Sequence, residues 1–243
     1  MKKHIPNLIT MGNLSCGLIA TILAINNKLE YAAFFVCLGI FLDFFDGLAA
    51  RLLKVQSELG VQLDSLADMV TSGVVPGFVM MSLMKSSTSD YSTYGNDWTF
   101  EGIFGGSLIP FVAFIIPLAS AYRLAKFNID DEQRDSFIGL PTPANALLIL
   151  SLPLILEYQF SEMAFTIIRN QWFLIGVTIL SAFLLNARIP LFALKFKTWG
   201  FKENAVRYLF ILACIILLLT LKFIAIPILL ILYVIISLVT PKS

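Results

Sequence analysis

Apolar residues run through this chain in long stretches separated by short polar connectors. A helix needs about 20 apolar residues to cross the hydrocarbon of a bilayer, and the pattern predicts about eight such spans. They fall at residues 5–25, 31–53, 60–84, 103–124, 141–156, 172–191, 205–221 and 223–239. Only Lys222 and Pro227 divide the last two, so a single kinked hairpin stands as the alternative. The connectors are a tight turn at 26–30, a short charged link at 54–59, and polar loops at 85–101, 127–137 and 191–204. The expected fold is an all-α polytopic transmembrane bundle, with residues 1–243 forming one membrane domain.

Composition excludes the soluble alternative. The chain is 58% hydrophobic and 14% charged, with a mean hydropathy of +0.85. Soluble domains average about 45–50% apolar and about 25% charged. A net charge of +1 offers no basic domain, so no nucleic-acid partner is expected. Cys16, Cys37 and Cys214 lie far apart in apolar runs and read as reduced buried thiols. His4 is the single histidine, which argues against histidine catalysis or a histidine-rich zinc site. The first apolar run is too long for a cleavable leader.

The basic residues are distributed unevenly. With the N-terminus placed in the cytoplasm, 13 of the 17 Lys and Arg fall on the cytoplasmic side. Lys28, Lys85, Arg169 and Lys222 make up the other side. By the positive-inside rule both termini are expected in the cytoplasm, which requires an even number of spans.

Four carboxylates interrupt this apolar pattern. Asp43 and Asp46 lie in the second span, Asp64 and Asp68 in the third. An ionisable group at a helix centre costs about 2.5–3.5 kcal/mol on insertion scales. At about 100° per residue, Asp43, Asp46, Gly47 and Ala50 share one helix face. Asp64 and Asp68, four apart, share another. The short link between the spans makes the two helices antiparallel neighbours, so the acids converge just inside the cytoplasmic boundary. Clustered carboxylate oxygens suit Mg²⁺ or Mn²⁺, and four are enough for two ions. On polarity alone, a cation or proton path and a catalytic centre stand level.

The spacing separates them. Asp43-Phe-Phe-Asp46-Gly47-Leu-Ala-Ala50-Arg51, eight residues, then Gly60-Val-Gln-Leu-Asp64-Ser-Leu-Ala-Asp68 resembles the full signature of the CDP-alcohol phosphotransferases, D-x₂-D-G-x₂-A-R-x₈-G-x₃-D-x₃-D. At about one in twenty per fixed position, a chance match at all eight arises roughly once in ten billion starts. The resemblance implies an enzyme in which Asp43, Asp46, Asp64 and Asp68 hold a pair of divalent ions, and Asp68 also takes the proton of the incoming hydroxyl. It implies that Gly47, Arg51 and Ser57 contact the CDP group of CDP-diacylglycerol. The opening Pro6-Asn7-Leu8-Ile9-Thr10 is similar to the family's cytidine-contacting start, which adds Asn7 and Thr10. It further implies a homodimer.

The signature does not select the acceptor alcohol. Ser120-Ala-Tyr-Arg123-Leu-Ala-Lys126-Phe127-Asn128 and Phe137-Ile-Gly139-Leu140-Pro141-Thr142-Pro143-Ala144 resemble segments of the members that accept L-serine. Lys126 stands where those members carry Arg, which keeps the charge and loses the planar fork. Arg123 and Lys126 are the candidates for serine's carboxylate, Arg123 first; the bland reading makes both ordinary flanking cations. Glycerol 3-phosphate is the rival acceptor, and a cation or proton transporter is the rival outside the family. The expected setting is a prokaryotic inner membrane, with the active site facing the cytoplasm.

Overall fold

The structure is a computed structural model that describes residues 4–87, 107–129, 137–191 and 200–239. Much of the predicted loops 85–101, 127–137 and 191–204 lies outside the described residues, as do Lys2, Lys3, Arg134, Lys195, Lys197 and Lys242. The described chain is all-α apart from one short antiparallel pairing of β1 (Phe137–Ile138) with β2 (Pro190–Leu191).

Helices α1 (Ile5–Ile25) and α2 (Leu29–Leu52) form an antiparallel hairpin. Ala20, Ala24, Ala32, Ala33 and Val36 are buried, and their small side chains let the two helices close on each other. Asn27 makes the turn at φ 58, a conformation that Asn tolerates. Its side-chain oxygen accepts a hydrogen bond from Ser82 at 2.7 Å, tying the turn to a later helix.

The third predicted span is one apolar stretch, Glu58–Ser87. It comprises α3 (Glu58–Asp68), a π-helical turn (Met69–Val74) and α4 (Val75–Ser87). The Ser57 hydroxyl oxygen caps α3 by accepting from the Gly60 amide at 3.1 Å. Val75, Val79, Met80 and Met84 are fully buried, which makes α4 the axis of the bundle. Ala20, Val36, Ile116, Ile149 and Leu174 from the surrounding helices complete the core.

A 3₁₀ turn (Ile109–Phe114) leads into α5 (Ile115–Ile129), which runs five residues past the predicted end of the fourth span. The connector expected from 127 therefore starts too early. The reason is Asn128, whose side-chain amide donates to Ser65 on α3 at 3.0 Å and draws out a last helical turn. Helix α6 (Thr142–Tyr158) lies close to its expected position.

The sixth predicted span starts within one residue of the observed helix but ends too late. A short helix, α7 (Glu162–Ile168), precedes α8 (Gln171–Asn186) and meets it at 65°. Helix α8 stops five residues before 191. Ile189 precedes Pro190, which disfavours helical backbone there. The α8 end is also capped from outside: the Leu140 amide donates to the Leu184 carbonyl at 2.8 Å, and that of Gly139 to Ile189 at 2.9 Å. Gly139 has φ 78, and a Cβ there would stand 2.6 Å from the Leu185 carbonyl oxygen, so the turn admits no side chain.

The last two helices are α9 (Phe201–Leu221) and α10 (Ala225–Val239), joined by a 3₁₀ turn at Lys222–Ile224. Lys222 has φ 47, which interrupts the helix. The rings of Phe210 and Tyr233 lie 5.6 Å apart. One straight helix would separate these residues by roughly 35 Å at 1.5 Å per residue, so the chain reverses at Lys222. Gln159, just past α6, clamps this reversal. Its amide donates to the Leu221 carbonyl at 3.0 Å, and its oxygen accepts from the Phe223 and Ile224 amides at 2.8 and 3.2 Å.

Among the described residues, five helical stretches are long and apolar enough to cross a membrane, or six if α7 and α8 form one span. The sequence pattern gave about eight. The difference lies in α6, a shorter apolar helix, and in α9 and α10, which hydropathy alone fuses into Asn204–Val239. Large apolar residues such as Phe34, Phe41, Leu118, Phe183 and Leu219 face outward, as lipid contact requires.

Substituting Gln159→Leu strips three backbone groups of their side-chain partner. The expected outcome is a loss of about 1–3 kcal/mol in unfolding free energy in mixed micelles. An unchanged unfolding curve would mean the reversal does not depend on the clamp.

Candidate metal centre

The acidic residues come from α2 and α3, brought together by the short link between them. Asp43 and Asp46 are three apart on α2, and Asp64 and Asp68 four apart on α3, so each pair lies along one helix face. Oxygens of Asp43, Asp46 and Asp64 all lie within 4.8 Å of one another. Asp46 is buried at 5% exposure, and the other two are half-buried. Asp43 Oδ1 is buried without a hydrogen-bond partner. Three carboxylates converging on one point, one with an orphaned oxygen, fit a hard divalent cation. Asp68 lies beside Asp43 but outside the tight group of three.

Helix α1 supplies the second wall. The Thr10 hydroxyl donates to Asp46 Oδ2 at 2.6 Å, and the Asn13 side-chain amide donates to Asp68 Oδ1 at 3.4 Å. Asn13 is fully buried. Sequence reading did not single it out, although Asn7, Thr10 and Asn13 recur every third position and so line one side of a helix.

A cleft of about 200 Å³ opens beside the carboxylates. It is lined by Asn7 and Thr10 of α1, by Asp46, Gly47, Ala50 and Arg51 of α2, and by Ser57, Gly60 and Asp64 at the start of α3. All five residues expected at the CDP group are therefore in one wall or another of this cleft. Arg51 is exposed, and its Nε donates to the Gly47 carbonyl at 3.0 Å, which steadies the side chain along its own helix. Ser57 also caps α3, so its oxygen serves the fold as well as the cleft. Gly47 has open space where a Cβ would stand.

Arg123 and Lys126 lie elsewhere. Neither lines the cleft. Arg123 is buried on α5 at 8% exposure, within electrostatic range of Asp68. Its Nη2 donates to the Gly139 carbonyl at 3.4 Å, and its Nε has no partner. Lys126, one turn on, is half-buried. Ser72 and Ser120, fully buried, also have unpartnered hydroxyls, and Ser120 packs against Gly73 of the π-helical turn.

Comparison with known proteins bears on this arrangement. Residues 3–183 match the family model described as CDP-alcohol phosphatidyltransferase. The CDP-diacylglycerol–serine O-phosphatidyltransferase of Bacillus subtilis (strain 168) is 36% identical over 154 residues, covering 62% of this chain and 75% of that protein. Proteins of the same name from Mycobacterium leprae (strain TN) and Helicobacter pylori (strain J99) are 30% and 32% identical. The matches cover 77% and 65% of this chain, but only 57% and 60% of those two relatives. With the matched region enclosing the whole carboxylate cluster and its cleft, the chain belongs to the CDP-alcohol phosphatidyltransferase family.

Proposed function

We propose that this protein transfers a phosphatidyl group from CDP-diacylglycerol to the hydroxyl of L-serine, giving phosphatidylserine and CMP. The observation that carries this reading is the convergence of Asp43, Asp46 and Asp64 within 4.8 Å, beside a cleft lined by Gly47, Arg51 and Gly60 of the same signature. The serine relatives above favour serine as acceptor.

In this reading Asp43, Asp46 and Asp64, completed by Asp68, hold two Mg²⁺ or Mn²⁺ ions. Such ions supply electrostatic stabilisation for charge on the transferring and leaving phosphate oxygens. Asn7, Thr10, Gly47, Arg51 and Ser57 hold the CDP group and keep it in register with the acids. Serine's hydroxyl oxygen forms a bond to the phosphorus bearing diacylglycerol, the bond from that phosphorus to the bridging oxygen breaks, and CMP leaves with the electron pair. Asp68 accepts the hydroxyl proton, and Arg51 offsets charge on the departing phosphate. Arg123, with Lys126 behind it, receives serine's carboxylate. The hydroxyls that line the cleft are engaged in the fold, Thr10 with Asp46 and Ser57 with the Gly60 amide, which favours direct displacement.

The membrane arrangement belongs to the same proposal. Residues 1–243 form one domain of eight spans, counting α6 and each of the last two helices separately. Both termini and the cleft face the cytoplasm of a prokaryotic inner membrane, and the protein works as a homodimer. Support for the orientation comes from the basic residues: Arg51 and Lys54 lie at the cleft end of α2, and Lys28 at its opposite end.

Three outcomes test the reading. Purified protein with CDP-diacylglycerol and Mn²⁺ is expected to release CMP when serine is added, and to stop when the metal is chelated. Release with glycerol 3-phosphate alone would move the choice of acceptor, and metal flux without CMP would overturn the reaction. Asp64→Asn is expected to lower turnover by about 100-fold or more, the scale of losing one preorganised electrostatic group. Arg123→Ala is expected to raise the KM for serine by about 10–100-fold, matching about 1.5–3 kcal/mol for a charged hydrogen bond. The KM for CDP-diacylglycerol should barely change; equal effects on both would remove Arg123 from the serine site.

A further inference from the structure

The polar stripe on α1 has a feature that the cleft alone does not require. Thr10 and Asn13, one turn apart, each donate a hydrogen bond to a carboxylate on a different neighbouring helix: Thr10 to Asp46 of α2, Asn13 to Asp68 of α3. Both donors are buried, at 3% and 0% exposure, so neither bond is shared with bulk water. Asn13 is also confined. A Cβ on Gly39 would stand 2.8 Å from Asn13 Oδ1, and the Thr71 hydroxyl donates to the Asn13 backbone carbonyl at 3.2 Å. Asn13 Oδ1 has no partner, so among its side-chain hydrogen bonds the one to Asp68 alone fixes the orientation of the amide.

A carboxylate with one oxygen held by a donor has a fixed plane and presents its other oxygen in a set direction. Donors of this kind behind metal ligands are worth about 10–100-fold in metal affinity or activity. Simple helix-to-helix adhesion, the other use of polar groups in a membrane bundle, would not need both donors to end on members of the same acidic cluster.

We propose that Thr10 and Asn13 form an orienting face on α1, with Thr10 positioning Asp46 as a metal ligand and Asn13 positioning Asp68 as the proton acceptor. In this role both act through the acids, Thr10 in addition to its place in the wall of the CDP cleft. The assignment of Asp68 rests on the reaction proposed above; that of Thr10 rests on the metal centre alone.

The test uses the full chain in detergent micelles, with Mn²⁺ binding read directly from the electron paramagnetic resonance signal of the free ion. Thr10→Val keeps the shape and loses the donor; Thr10→Ser keeps the donor and loses the methyl group. Positioning predicts Mn²⁺ affinity about 10–100-fold weaker in Thr10→Val and within about threefold of wild type in Thr10→Ser. A role in packing predicts the reverse order, and that order, or no change in either variant, overturns the proposal for Thr10. For Asn13→Ala, turnover measured as CMP release should fall by about 10–100-fold while the KM for CDP-diacylglycerol stays within about threefold. Unchanged turnover per folded molecule, or a loss confined to KM, overturns the proposal for Asn13. Wild-type protein that binds Mn²⁺ but releases no CMP with serine defeats the proposed reaction and, with it, the role of Asn13. The valine and serine variants still decide the role of Thr10.

Discussion

Four carboxylates set among apolar helices are the constraint on which this molecule turns. Each is costly to place in a membrane span, and bringing three of them within 4.8 Å adds mutual repulsion. Water satisfies such groups poorly at that depth, and α2 and α3 carry no cation between them that folds back into the group: Arg51 is exposed and bonded to its own helix. A divalent ion bound there would both remove the repulsion and give Asp43 Oδ1 a partner. The close approach of α1, with its two buried donors, makes sense as the framework for that ion.

The fold supplies the framework by economical means. A short link makes α2 and α3 neighbours, and a Ser57 cap fixes where α3 begins. Immediately after Asp68 the helix widens into a π-helical turn, a feature often found at functional sites. The wider turn lies between α3, whose Asp64 lines the cleft, and α4, most of which is buried in the core. Asn128 then holds the end of α5 against α3, bringing Arg123 within electrostatic reach of Asp68.

Much of this could be read from the sequence. Apolar run length located α1, α2 and the long third stretch, and the eight fixed signature positions include the three acids that meet and nearly half of the cleft wall. What escaped notice depends on contacts between distant segments. The end of α5 is set by Asn128 meeting Ser65, and the end of α8 by the Gly139 turn folding back upon it, neither visible in local hydropathy. The reversal at Lys222 lies inside one apolar run, because the group that satisfies its backbone is Gln159, some sixty residues earlier. Asn13 was overlooked because a lone Asn in a helix reads as unremarkable until its partner is known, although its spacing from Asn7 and Thr10 was open to view.

The two groups of candidate substrate contacts occupy different stretches of chain. Everything that lines the cleft lies before residue 69, on the first three helices and the link between α2 and α3, whereas Arg123 sits on α5 and is moored to the turn at Gly139. On the proposed reading, donor handling and acceptor choice are physically modular. Alterations around α5 and the Gly139 turn can retune which alcohol is admitted while leaving the grip on the activated lipid intact, so one catalytic chassis can serve several headgroups.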